Sequence, residues 1–219
     1  MRKVEEFSPN HLSRRAIGNP EALPVLKRFR DDETECAEVR ETCELSVDRI
    51  EFLRNNAVEK SAKFLSVDPA PAQDDVKDVA ELEAILLDSS RSLFTRYRAM
   101  FALRDLGTEE AVLALAKGLN DSSALFRHEI GYVFGQLQHP AAVAALTEAL
   151  ARNGEHAMVR HEAAEALGSI ATEDVFPILK AHTTDKELVV SQSCEVALDM
   201  YEYETSGAFQ YANTLTAAE

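Results

Sequence analysis

Tryptophan is absent, and glycine and proline are scarce, at 8 and 7 among 219 residues. A chain so poor in backbone breakers is not a loop-rich or low-complexity protein. No stretch of β-branched and aromatic residues alternates with polar ones, so no strand is expected. Cysteine is also rare: Cys36, Cys43 and Cys194 are an odd set with no CxxC, which argues against a disulfide framework or a zinc knuckle. No apolar run reaches membrane length, and the charged start Met1-Arg2-Lys3 has no signal-peptide apolar core. The cytosol is the expected location, with the nucleus left open, and no membrane partner is expected. Basic residues are outnumbered, 23 against 38 acidic ones, for a net charge of −15. Such a surface repels phosphate, disfavours nucleic acid and favours a basic partner.

What is abundant is Ala, Leu and Glu in helical spacing, within a composition 46% hydrophobic and 28% charged. The chain reads as all-α, and it repeats. Leu93 to Leu119, Leu125 to Leu150 and Met158 to His182 form three parallel rows, with a fourth beginning at Val189. Aligned on their apolar positions, Tyr97, His128, His161 and Gln192 share one slot, at steps of 31, 33 and 31 residues. Each complete row has a helix, a turn and a second helix, with breakers at Gly107-Thr108, His139-Pro140 and Thr172-Glu173-Asp174. A lone hairpin of this kind cannot bury its apolar stripe, whereas stacked ones share a core. The predicted architecture is therefore an α-solenoid of HEAT-type helical-hairpin repeats.

A longer echo overlies this one. Ala16 to Phe29 resembles Ser169 to His182, and Val39 to Val47 resembles Val190 to Leu198, placing Cys43 over Cys194. The expected organisation is an atypical opening at 1–11, the remnant of a first lobe at 12–60, a linker at 61–78, a second lobe at 79–205 and a tail at 206–219. The linker contains Phe64 to Asp75, with prolines and aspartates that favour an exposed, semi-extended chain. The slot that would match His161-Glu162 in the first lobe falls on Ser8-Pro9, so the first lobe is expected to lack its front.

The sharpest chemical feature is a pair of dipeptides, His128-Glu129 and His161-Glu162, each preceded by arginine and each expected to open a helix one repeat apart. Neighbouring helices of a solenoid pack roughly 10 Å apart, a gap that two imidazoles and their carboxylates can close onto one ion. That donor set suits Fe(II) with open positions, and zinc or manganese would be tolerated. A bland reading, surface dipeptides with Glu placed by the helix dipole, is weakened by the shared register. Tyr97-Arg98 and Gln192-Ser193 fill the same slot elsewhere, so folding does not demand His-Glu there. His139 and His156 fall in turns and are expected to be exposed. His182 ends a helix near Lys180, and His11 lies in the opening. The cysteines fall on apolar faces and are expected to be buried thiols.

The runs FLSVDPAPA, RYRAMFALR, ALFRHEIGYVFGQLQH, MVRHEAAEALG, SCEVALDMYEYE and AFQYA together resemble deoxyhypusine hydroxylase, over about Leu12 to Leu215. That family is a HEAT-repeat di-iron monooxygenase. The resemblance implies iron- and dioxygen-dependent hydroxylation of the deoxyhypusine side chain on a translation initiation factor, which would be the protein partner. It implies His128, Glu129, His161 and Glu162 as metal ligands. Glu129 and Glu162 are the catalytic candidates, and spare carboxylates near the metals are expected to orient the substrate amine. The family carries four His-Glu pairs, two per lobe, and this sequence carries two. One iron half-site is therefore implied. Three arrangements fit: a shortened form of the enzyme, two copies combining half-sites, or a non-catalytic scaffold for a basic protein. A bilin lyase-like HEAT protein would share the repeats without explaining both pairs.

Overall fold

A computed structural model describes residues 19–56, 64 and 66–206 of the chain. The opening with His11 and Ser8-Pro9, and the tail from 207, lie outside the described residues. Within them run ten α-helices: α1 Leu23–Arg30, α2 Ala37–Asn55, α3 Val79–Leu87, α4 Leu93–Leu106, α5 Glu109–Lys117, α6 Ala124–Leu137, α7 Val143–Ala151, α8 Ala157–Ile170, α9 Val175–His182 and α10 Leu188–Ser206.

The helices begin where short polar side chains can take up the orphan N–H groups. The side chains of Asp78, Ser92, Thr108 and Ser123 accept from the backbone of Glu81, Thr95, Ala111 and Phe126. His139 and His156 do the same through Nδ1, each at 3.2 Å, from Ala141 and Met158. These two histidines are thus helix starters; His156 is exposed, as expected, whereas His139 is half-buried. At the other end, α4, α6 and α8 each stop at a residue in left-handed conformation: Gly107, Gln138 and Ala171. Each is the tenth residue after the repeat slot at 97, 128 or 161. The stop signal is therefore periodic even though only the first row writes it as glycine.

The chain forms two compact units, divided between Ile130 and Gly131 inside α6. In the first, α1 packs on α2, α2 on α4, and α3 on α4 and α5. Ala22, Leu26, Phe29, Cys43, Val47 and Ile50 form the core of the α1–α2 hairpin. In the second, α8 packs on α7 and α10, and α9 on α10. Leu150, Leu167, Leu179, Val190, Cys194 and Ala197 there are fully buried. Each such large aliphatic side chain contributes about 1.5–3 kcal/mol. Gly168 sets the α8–α10 spacing: a Cβ on it would lie 2.6 Å from the Ala197 carbonyl oxygen and 2.7 Å from its Cα. Only glycine lets these two backbones come so close.

The longer echo is visible as two helices of equal length. α2 and α10 each span 19 residues, and Cys43 and Cys194 are both buried at corresponding positions. Cys36 differs from expectation: it stands exposed at the cap of α2, before the apolar face begins.

The segment from Ser66 to Asp78 is non-helical, yet it is not a free linker. Ala70 is fully buried. Asp68 accepts two parallel bonds from Arg104 at 2.9 and 2.8 Å, and its backbone carbonyl accepts from Arg49 at 3.0 Å. Gln73 N–H donates to the Arg98 carbonyl at 3.1 Å. Arg104 itself is wholly buried, stacked over Phe64 and Phe101. Burial opposes its charge, but Asp68 and Asp105 outweigh burial and hold its pKa above the ordinary value.

Candidate metal centre

Both His-Glu pairs sit one turn deeper than expected. His128 is the fifth residue of α6 and His161 the fifth of α8, so each pair begins the second turn. The helix dipole acts on the first turn and does not account for a carboxylate placed there. All four side chains are half-buried.

In the first unit, His128 and Glu129 lie on α6, whose start is held by Ser123. The Ser123 hydroxyl donates to Glu41 of α2 at 2.7 Å. Glu129 borders a cavity of about 360 Å³ together with Tyr97, Leu125, Leu45, Ser46 and Arg49. Tyr97 fills the repeat slot in α4, is completely buried and donates its hydroxyl proton to the Leu125 carbonyl at 3.3 Å. Burial, then the Glu129 and Glu41 carboxylates, push its pKa well above the usual phenol range, so it stays neutral.

In the second unit, Gly131 and Gly135 of α6 face α8. A Cβ on Gly131 would lie 3.0 Å from Glu162 Cγ, so glycine there leaves the room that the Glu162 side chain occupies. Next to it, His161 Nδ1 lies 3.4 Å from Glu165 Oε1, and Ser193 of α10 donates to the same oxygen at 2.8 Å. A histidine that donates from Nδ1 to a carboxylate carries its lone pair on Nε2, a common arrangement in metal-ligating imidazoles. The residues present therefore fit a cation by donor chemistry and by the space reserved for a carboxylate.

Sequence reading did not single out Glu165. Its signal is the four-residue step from His161, which places both on one helix face. Nor did it assign the arginines before the slot. Arg96 and Arg160 are buried, and each donates Nε–H to the carbonyl that closes the preceding helix, Leu86 at 2.8 Å and Leu150 at 2.7 Å. Each also pairs with an aspartate 25 residues later, Asp121 or Asp185. They seat the slot helices against their neighbours and so fix where the next side chain emerges. His182 Nδ1 lies 2.8 Å from the Ile178 carbonyl, a local helix-end bond.

Fold and repeat register define a HEAT-repeat protein, and comparison with known proteins agrees. The HEAT-repeat family model matches residues 113–199, and the PBS lyase HEAT-like repeat model matches 95–121. Human deoxyhypusine hydroxylase is 59% identical over 201 residues, covering 91% of this chain and 66% of the human protein. The Drosophila melanogaster protein of that name is 53% identical over the same shares. The structure of human deoxyhypusine hydroxylase in complex with glycerol superposes with a TM-score of 0.82 at 53% identity, covering 92% of this chain and 71% of that one. The chain belongs to the deoxyhypusine hydroxylase family. It spans about two thirds of the length of these curated relatives, 66%.

Proposed function

We propose that this chain carries one iron half-site of a deoxyhypusine monooxygenase, with His128, Glu129, His161 and Glu162 as its ligands. The observation that carries the reading is the placement of two His-Glu pairs at the same position of α6 and α8, in a chain 59% identical to human deoxyhypusine hydroxylase. His128, His161 and Glu162 can each offer a ligand atom. Two imidazoles with carboxylates favour Fe(II) while leaving coordination positions for other ligands.

Iron held there would supply activation of dioxygen, the chemistry by which one oxygen atom enters a C–H bond and the other leaves as water, with two electrons from an external reductant and two protons. The protein's own part is to bind and orient. The substrate is the deoxyhypusine side chain of a translation initiation factor, a cationic amine arm on a basic segment. The acidic balance of the chain, −15, favours its approach. The cavity beside Glu129 offers an aliphatic wall in Leu45 and Leu125 and a carboxylate for the amine. In this reading Glu129 and Glu162 also orient that amine.

The test is incubation of the iron-loaded chain, alone and mixed with a second copy, with the deoxyhypusine form of the factor, dioxygen and a reductant. Gain of one oxygen atom at the modified lysine, read by peptide mass, is the expected result. Iron binding without oxygen gain in either arrangement would reduce the proposal to a metal-holding half-site. Neither iron nor oxygen gain, with retained binding of the basic factor, would establish the scaffold reading.

A further inference from the structure

We propose that Glu165 is a positioning residue for metal binding at His161, and that Ser193 makes it one. The inference rests on the reading of His161 as a metal ligand.

A glutamate four residues after a histidine on an exposed helix face is, by itself, a weak and mobile pairing. Glu165 has that exposure, with 39% of its side chain open to solvent, and its contact to His161 at 3.4 Å is long. What distinguishes it is the second helix. Ser193, only 7% exposed, reaches from α10 to the same Oε1 at 2.8 Å. One oxygen thus takes a hydroxyl from α10 and faces an imidazole from its own helix. The reach depends on backbone packing: Gly168, three residues beyond Glu165, touches Ala197, four beyond Ser193. The close approach of α8 and α10 therefore sets the carboxylate, and the carboxylate sets the ring.

The chemical consequence is a choice of tautomer. A neutral imidazole free of constraints prefers its proton on Nε2. A carboxylate fixed beside Nδ1 draws the proton to that nitrogen and leaves the Nε2 lone pair for a cation, while raising ligand basicity. The same step from His128 reaches Tyr132.

Two readouts on the full chain test this. The first needs no metal: ring ¹⁵N shifts of His161 in chelator-treated protein at mildly alkaline pH, assigned against His161→Ala. The expected result is the Nδ1–H form in the native chain, reverting toward Nε2–H in Glu165→Ala and partly in Ser193→Ala, with Glu165→Gln retaining it. An Nε2–H native ring would overturn the proposal. The second is the Co(II) dissociation constant. Glu165→Ala is expected to weaken it about 10- to 100-fold, Ser193→Ala less, and Glu165→Gln least, at unchanged thermal midpoints. Native-like affinity in Glu165→Ala would overturn the positioning role. A native chain that holds Co(II) nowhere would overturn the metal reading of the site, while the tautomer still reports whether Glu165 orients the ring.

Discussion

Arg160 of α8 holds Asp185, just before α10, by donating from Nη1 at 3.1 Å, while its Nε–H bonds the Leu150 carbonyl at 2.7 Å. One guanidinium thereby ties the end of α7, the first turn of α8 and the approach to α10 into one frame. His161 is the next residue, so its position is inherited from this clamp. Arg96 makes the same bonds to Leu86 and Asp121 one unit earlier.

Removing the anion leaves that guanidinium stranded. Asp185→Ala is expected to lower unfolding free energy by about 3 kcal/mol, the scale for breaking one side of a buried pair. The pH dependence has a definite sign. The Arg160 hydrogen bond holds the Asp185 carboxyl below its ordinary range, against the opposing effect of burial. The unfolded chain therefore binds that proton more tightly, and the contribution is complete above about pH 4. It disappears as pH falls through the lower folded-state value. Urea unfolding of both forms should show a constant gap from pH 7 to 5 that closes in more acidic buffer; a gap widening on acidification would refute this.

Arg104 anchors a segment that carries no regular structure. Its two parallel bonds to Asp68 hold Ser66 to Asp78 against α4. Arg104→Ala is expected to cost about 4 kcal/mol. Arg104→Lys should recover less than half of that, since an ammonium cannot supply the paired donors. Chemical denaturation measures both; equal stability of native and Lys forms would contradict the account.

The three thiols should separate by reactivity. Burial raises the Cys43 pKa and brings Cys194 up to about 11, while Cys36 is exposed. Thiolate is the reacting form, so a colorimetric disulfide reagent should label one equivalent quickly and the other two at least about tenfold more slowly. Fast labelling of three thiols in the native chain would contradict the packing of α2 and α10.

Much of this was legible in sequence because it is local. The 31- and 33-residue steps follow from apolar spacing within helices, and the Cys43–Cys194 echo marks α2 and α10. The His-Glu register was legible for the same reason. What was not legible depends on distant partners. Asp68 meets Arg104 36 residues later, which turns an expected exposed linker into a pinned one. Glu165 meets Ser193 28 residues later, across a contact that Gly168 permits. Cys36 lies one residue before its helix, a boundary that apolar spacing alone does not resolve.

The central claim is that His128 and His161 belong to one metal site. The direct measurement is iron content per chain, by elemental analysis of protein prepared anaerobically, with solution mass recorded alongside. The account predicts about one iron per chain, lost in both His128→Ala and His161→Ala while the helical fold is retained. No iron in the native chain, or iron undiminished in either variant, would contradict it.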